Sequence, residues 1–140
     1  MGSIRDLIAE GAKRYDQSDA EGMAATYADD AVLTAPPGER AEGKQAILDY
    51  WVQMIRAFSD KTGEVGRSSE TADTYFGEIS FWGTNTGDLT MPDGTSIPAT
   101  GKSVEVRGVE FAQVRDGKIV EHNMYWDSLG MMRQLGLLPS

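Results

Sequence analysis

The chain has 140 residues, no cysteine and one histidine, and its formal net charge is −9 at pH 7. These counts exclude disulfide bridges, zinc–thiolate centres, a thiol nucleophile and a site built from several histidines of one chain. The negative charge disfavours nucleic acid and anionic membranes as partners. No apolar run approaches the roughly 20 residues that cross a bilayer, and no signal-peptide pattern opens the chain. We therefore expect one domain over residues 1–140, located in the cytoplasm.

Three helices are predicted within residues 4–58, because apolar residues recur there at helical spacing. Asp19 is placed to cap the second, short helix, which carries Met23 and Tyr27. A short strand over residues 31–34 separates it from the third helix. The apolar faces of the first and third helices comprise Ile4, Leu7, Ile8, Gly11, Ala12 and Tyr15, and Ile47, Trp51, Met54, Ile55 and Phe58.

The second half of the chain is predicted to form long β-strands. Runs rich in β-branched and aromatic residues cover residues 74–84, 103–114 and 118–126. Asp116-Gly117 is a hairpin turn between the last two runs, and a final short helix begins at residues 127–128. Helices followed by antiparallel strands indicate the α+β class, with the helices covering one face of the sheet.

Sequence motifs in three parts of the chain point to one protein family. They are the tail DGKIVEH at 116–122 with YWD at 125–127, the middle segments GTNTG at 83–87 and PATGK at 98–102, and YADDA at 27–31. Together they resemble the SnoaL-like polyketide cyclase family of the nuclear transport factor 2-like superfamily. The resemblance implies a strongly curved antiparallel sheet wrapped around three N-terminal helices, forming a cone with one deep pocket. It also implies a homodimer through the outer sheet face.

The resemblance implies a cofactor-independent cyclase or isomerase that transfers protons on a hydrophobic polyketide-like or polycyclic molecule. Two alternatives stay open, namely a hydroxylase (oxygenase) component of the same family and a non-catalytic small-molecule-binding protein. The family places its acid/base aspartate two residues after a histidine in the last strand. Here the histidine is His122 and the aspartate position is Met124, whose thioether transfers no proton at neutral pH. Two other polar positions of the superfamily are occupied by Ala35 and Asn85, which favours the binding alternative.

Glu110 and His122 are the remaining candidates for acid/base catalysis. The turn at Asp116-Gly117 allows two registers: a two-residue turn pairs Glu110 with Asn123, and a three-residue loop pairs it with His122. We favour the second register because the family's pocket residues share its parity, and it places Glu110, His122 and Met124 on one face. A carboxylate beside an imidazole in an apolar cavity forms a general acid–base pair, with Glu110 orienting the ring and His122 exchanging the proton. A hydrogen-bonded strand pair without chemistry is the alternative.

A flat hydrophobic small molecule is the predicted ligand, because aromatic walls with few polar groups are typical of ligand sites. Asn85 is predicted to donate a hydrogen bond to a substrate carbonyl, with a plain turn residue as the alternative. Segment 85–101 is either a lid over the pocket mouth or an exposed loop. No cofactor or metal motif is recognisable. The other predicted ligand contacts are Tyr15, Tyr50, Trp51, Met54, Met124 and Trp126, for which ordinary core packing is the alternative.

Overall fold

The computed structural model describes residues 3–138. Its helices and strands alternate in the first half of the chain, and strands dominate the second half. The elements are α1 (Ile4–Asp16), α2 (Ala20–Ala24), β1 (Tyr27–Ala35), β2 (Glu39–Glu42), α3 (Lys44–Ala57), β3 (Phe58–Glu70), β4 (Thr74–Asn85), β5 (Leu89–Thr90), β6 (Ser96–Ile97), β7 (Ser103–Arg115), β8 (Lys118–Trp126) and α4 (Ser128–Gln134).

Six of the strands form one sheet in the order β2-β1-β8-β7-β4-β3, and β5 pairs with β6 as a separate hairpin. The α+β class is therefore confirmed. The expectation of a wholly antiparallel sheet is wrong. The sheet is mixed, because β1 runs parallel to β8. Four helices are present in residues 3–138, three before the long strands and α4 after them. The strong curvature expected of the sheet stays a prediction.

Helices α1 and α3 bury their apolar faces against the sheet, as the spacing predicts. Ile8, Tyr15, Ile47 and Trp51 are all buried in one core cluster. Helix α1 is also tied to the edge strand β3 at both of its ends. The Arg5 guanidinium donates to the Gly66 carbonyl at 2.6 Å, and the Gly63 amide donates to the Asp16 carboxylate at 2.8 Å. The cavity described below lies between these two attachments.

Tyr27 does not lie in the second helix, where the helical spacing placed it. Helix α2 ends at Ala24, and Tyr27 begins strand β1. The Thr26 hydroxyl donates to the Met23 carbonyl at 2.7 Å, and the Thr26 carbonyl accepts the Ile119 amide at 3.0 Å. Pairing with β8 thus overrides the helical pattern. It aims the Tyr27 side chain into the core.

The three long strands predicted after residue 73 are confirmed as β4, β7 and β8. Strand β3 was not predicted, although it pairs with β4 over most of its length. Its sequence is polar, contains two glycines and shows little alternation, and its last four residues are exposed. An edge strand of this kind takes its conformation from its neighbour rather than from its own pattern.

The hairpin between β7 and β8 begins in the first of the two predicted registers and leaves it before Glu110 is reached. Asp116 and Gly117 both have positive φ, 52° and 75°, and form a two-residue turn. The register then shifts at a β-bulge, where Val120 is the extra residue on β8. Beyond the bulge, Ala112 pairs with His122, so that each residue of β8 lies one position further along than the turn alone would place it.

The bulge has one consequence for the site. Glu110 pairs with Met124, and His122 is its diagonal neighbour on the same face of the sheet. The shared face of these three residues is therefore confirmed, although the pairing that predicted it is wrong. Ile119, which is buried, also lines the cavity from β8.

Candidate active site

A cavity lies between helices α1 and α3 and the strands β1, β3, β4, β7 and β8, and we call it the central cavity. It encloses about 970 Å³ when the solvent at its open side is included, of which about 140 Å³ admits the centres of water molecules. Its wall is mostly apolar and aromatic, and a few polar side chains reach it. Six of the predicted ligand contacts line it: Tyr15, Tyr50, Trp51, Met54, Met124 and Trp126.

Glu110 and His122 also line the central cavity, where they are joined by Tyr27 in one chain of hydrogen bonds. His122 Nε2 lies 2.7 Å from Glu110 Oε1, and His122 Nδ1 lies 2.7 Å from the Tyr27 hydroxyl. All three residues are buried, with 3% to 6% of their surface exposed. The predicted side-chain contact between Glu110 and His122 is therefore present, and Tyr27 extends it as a third member.

The donor and acceptor inventory assigns a direction to this chain. With Glu110 ionised, its carboxylate only accepts hydrogen bonds, so His122 Nε2 carries the proton and donates it. The Nδ1 atom of the neutral ring is then an acceptor, and the Tyr27 hydroxyl donates to it. Tyr27 therefore donates to His122, and His122 donates to the Glu110 carboxylate. Both ring nitrogens are occupied, so His122 presents no free nitrogen to a ligand.

Tyr27 is the site residue that sequence reasoning missed. Burial raises the pKa of the Tyr27 phenol, the nearby Trp51 indole lowers it, and the negative charge of Glu110 raises it further. The phenol therefore stays protonated at neutral pH and acts as a donor to the ring. The available signal was the YADDA motif at 27–31, which resembles the superfamily pattern and starts at this residue.

Three buried polar atoms of the cavity wall have no hydrogen-bond partner. They are Glu110 Oε2, the Tyr15 hydroxyl and Trp51 Nε1. An unsatisfied buried polar group costs about 1–3 kcal/mol, so such groups are retained where something else satisfies them. Glu110 Oε2 is the only carboxylate oxygen among the three, whereas the Trp51 indole only donates and the Tyr15 hydroxyl can donate or accept. The cavity thus combines an apolar wall with one buried carboxylate oxygen that has no partner.

The free carboxylate lies directly across from the residue that replaces the family's aspartate. Glu110 on β7 and Met124 on β8 are paired residues of adjacent strands, and paired residues have Cα atoms about 4.5–5.5 Å apart. Both side chains line the central cavity. A carboxylate is therefore present in this region of the cavity, supplied by the neighbouring strand.

Asn85 does not line the central cavity, and its predicted role as a carbonyl polariser is wrong. Its side chain is fully buried, and its Nδ2 donates to the carbonyls of Ala57 and Gly87 at 3.0 and 2.9 Å. Its Oδ1 accepts from the amide and the hydroxyl of Thr100 at 2.7 and 3.0 Å. Both polar atoms of the side chain are therefore occupied. Their hydrogen bonds connect Gly87 and Thr100, at the two ends of a loop, to each other and to Ala57.

The loop that Asn85 closes contains the short β5–β6 hairpin. Leu89 and Met91 of this segment line a second, smaller cavity and do not line the central one. The Asp88 carboxylate accepts the Ala99 amide at 3.3 Å and ties the two arms together. Among the described residues this segment does not line the central cavity, which favours the exposed loop over the lid as the role of segment 85–101.

Two further features, a membrane-crossing helix and a cluster of metal ligands, are absent from residues 3–138. No helix there is long and apolar enough to cross a membrane. No three side chains among the histidine, aspartate and glutamate residues of that range come together as metal ligands.

Comparison with known proteins adds the following findings. The family described as SnoaL-like domain matches residues 8–122. TsrD from Streptomyces laurentii superposes with a TM-score of 0.81 at 20% identity, covering 96% of each chain. IdmH from Streptomyces antibioticus, a candidate polyketide cyclase, is 28% identical with a TM-score of 0.75, covering 96% of this chain and 99% of its own. AclR from Streptomyces galilaeus, a candidate hydroxylase, is 23% identical with a TM-score of 0.78, covering 97% and 86%. No curated protein sequence matches this chain.

Proposed function

This chain belongs to the SnoaL-like domain family, and on that premise we propose that it is a cofactor-independent enzyme. It cyclises or isomerises a hydrophobic polyketide-like or polycyclic molecule by acid/base proton transfer. The observation that carries the proposal is the buried Glu110 carboxylate with one free oxygen, opposite Met124 in the cavity wall. The similarity to IdmH, a candidate polyketide cyclase, supports the same class of reaction.

Glu110 is the proton acceptor in this proposal, and His122 is its positioning residue. This reverses the roles that the sequence suggested, because both nitrogens of His122 are already hydrogen-bonded. Oε2 of Glu110 removes a proton from a carbon next to a substrate carbonyl, and the electron pair of that C–H bond forms an enolate. In a cyclisation the enolate carbon attacks a second carbonyl of the same molecule, and Glu110 returns the proton to the alkoxide that forms. In an isomerisation Glu110 returns the proton to a different carbon of a conjugated enolate, so either reaction leaves the enzyme unchanged.

The size of the central cavity limits the reacting part of the substrate. About 140 Å³ is accessible to water centres, which is close to the ~150 Å³ apolar cavity that holds a benzene molecule. About one ring therefore fits into the enclosed part of the cavity, and the rest of a larger substrate extends beyond it. The aromatic wall, in which the Tyr50 and Trp51 rings meet edge to face at 5.0 Å, favours a flat molecule.

Proton abstraction is testable without knowledge of the natural substrate. The flat bicyclic ketone 2-tetralone exchanges its α-protons with D₂O, and nuclear magnetic resonance follows that exchange. We expect the wild-type protein to accelerate the exchange and Glu110→Gln to lower the rate by at least about 100-fold, the usual contribution of a general base. Glu121→Gln is the matched control, because Glu121 is only partly buried and points to the other face of the sheet.

An unchanged exchange rate in Glu110→Gln contradicts the proposed role of the carboxylate. Binding of 2-tetralone with no acceleration of its exchange in the wild type supports the binding-protein alternative. Dioxygen uptake in the presence of a naphthol supports the hydroxylase alternative. Each of the three functions therefore has its own readout.

Tyr27→Phe tests the positioning role of the hydrogen-bond chain. The variant removes the donor to His122 Nδ1 and leaves the ring free to adopt the other tautomer, in which Nε2 no longer donates to Glu110. We expect a shifted pH profile of the exchange rate and a lower maximal rate, with the affinity for 2-tetralone within about twofold. A pH profile identical to that of the wild type contradicts this role.

We also propose that the protein forms a homodimer through the sheet face opposite the cavity. Phe76 pairs with Phe111, and Val109 pairs with Tyr125, so that these four side chains form one apolar patch. Phe76 and Tyr125 are 53% and 52% exposed, which is unusual for large apolar side chains. Light scattering after size exclusion tests this, and we expect Phe76→Glu to give monomers of half the mass. A monomeric wild type contradicts the proposal.

A further inference from the structure

A second cavity adjoins the central one, and we call it the side cavity. It lies between α3, the start of α4, segment 36–39 and the arm of the β5–β6 hairpin that carries Leu89 and Met91. It encloses about 620 Å³ including the solvent at its open side, of which about 60 Å³ admits water centres. Four residues line both cavities: Tyr50, Met54, Trp126 and Met131. A single layer of side chains therefore separates the two spaces.

Two of the four residues in this layer are methionines, Met54 on α3 and Met131 on α4. Methionine is unbranched, has three rotatable bonds and changes its conformation at low cost. Met54 is partly exposed, which shows that it is not held on all sides. A rotation of its side chain opens the layer without any movement of the backbone.

We propose that the side cavity is the second half of the ligand site, where it binds the apolar chain or second ring system of an elongated molecule. The proposal rests on the proposed function only in taking the central cavity as the place of the reacting rings. The enclosed part of the central cavity holds about one ring, so the rest of a larger ligand extends beyond it, either through the open side or past one of its walls. Met54 and Met131 belong to the wall that the central cavity shares with the side cavity, so an apolar space is already present behind this wall.

The polar residues of the side cavity indicate which chemical group the far end of the ligand carries. Glu39, Gln53 and Ser128 are its polar side chains beside Thr90, and burial raises the pKa of the Glu39 carboxyl. An acid group here, in a chain of net charge −9, disfavours a ligand that ends in a carboxylate or phosphate. The expected ligand is therefore a neutral, elongated molecule that ends in a hydroxyl or another neutral hydrogen-bonding group.

The test compares two probes that differ only in a chain, 2-naphthol and 6-hexyl-2-naphthol, by titration calorimetry. Each methylene group that leaves water adds about fourfold in affinity, so we expect the hexyl chain to lower the Kd at least tenfold. Gln53→Trp fills the side cavity from a solvent-exposed position. In this variant we expect the gain from the chain to fall below about threefold, while the Kd of 2-naphthol stays within twofold.

Gln45→Trp is the matched control, because it makes the same change at an exposed position of α3 that lines neither cavity. It is expected to keep the full gain from the chain. Met54→Ala removes part of the shared layer and is expected to increase the gain. Equal Kd values for the two probes, or a gain that survives in Gln53→Trp, overturn the proposal. These measurements involve no turnover, so their result is independent of whether Glu110→Gln abolishes proton exchange.

Discussion

Gly11 offers a prediction in which stability and binding change in opposite directions. It lies in the middle of α1, on the same face as the buried Ile8 and Tyr15, and it lines the central cavity. A Cβ atom built at this position has no heavy atom within 4 Å. Glycine inside a helix is about 0.8–1 kcal/mol less favourable than alanine, and no close packing here demands it. The glycine at position 11 therefore leaves this part of the central cavity unoccupied.

Two substitutions follow from this geometry. Gly11→Ala is expected to raise the free energy of unfolding by about 1 kcal/mol, which corresponds to a rise in Tm of about 3 °C in a chain of this size. Gly11→Leu keeps most of that gain and places three further carbon atoms in the cavity. Overlap between this side chain and a bound molecule costs about 1–3 kcal/mol, and hence weakens binding by about 5- to 150-fold.

Thermal unfolding and calorimetric titration with 2-naphthol measure the two effects in the same samples. Ala9→Leu is the control, because it adds a similar bulk on the exposed face of the same helix. A lower Tm for Gly11→Ala refutes the reasoning that the space beside Gly11 is open. Unchanged naphthol affinity in Gly11→Leu refutes the assignment of the central cavity as the ligand site.

Three further predictions concern stability. Asn85→Ala removes four hydrogen bonds of a fully buried side chain, and at about 0.5–1.5 kcal/mol each we expect a loss of about 3 kcal/mol in urea unfolding. The naphthol affinity is expected to stay unchanged, because the residue lies outside the central cavity. Asp127→Ala removes the N-cap of α4, where the carboxylate accepts the Gly130 amide at 2.8 Å; we expect a loss of about 1 kcal/mol, and Asp127→Asn restores most of it. Burial raises the pKa of Tyr15, Tyr27 and Tyr50, so above pH about 10 the unfolded chain loses protons that the folded chain keeps. Stability is therefore retained below pH 10 and falls above it by up to about 4 kcal/mol per pH unit for the three groups, and a flat profile of unfolding free energy between pH 9 and 11 contradicts this.

The position of Tyr27 shows where a local pattern is insufficient. Its spacing from Met23 is helical, but the backbone at Thr26 pairs with Ile119, which is more than ninety residues away in sequence. The pairing starts a strand, and the strand brings the phenol to His122. No window of sequence around Tyr27 contains that partner, so the third member of the hydrogen-bond chain was not predictable from spacing.

The hairpin of β7 and β8 shows a different limit. Its turn and both of its strands were predicted, but the bulge at Val120 was not, because either strand is compatible with several registers. The correct face for Glu110, His122 and Met124 followed from the resemblance to the family rather than from the turn. Similarly, the sequence placed Asn85 just after the predicted strand at 74–84, and only the fold shows that Thr100 and Ala57 occupy its polar atoms.

The sequence by itself determined the α+β class, the buried faces of α1 and α3, three of the long strands and four of the aromatic residues that line the cavity. These features depend on periodicity and turn chemistry, which act over a few residues. The tertiary structure alone decided the parallel pairing of β1 with β8, the contact of Tyr27 with His122 and the free oxygen of Glu110. Contacts of this kind join residues distant in the chain, and their geometry depends on how the sheet and helices pack together.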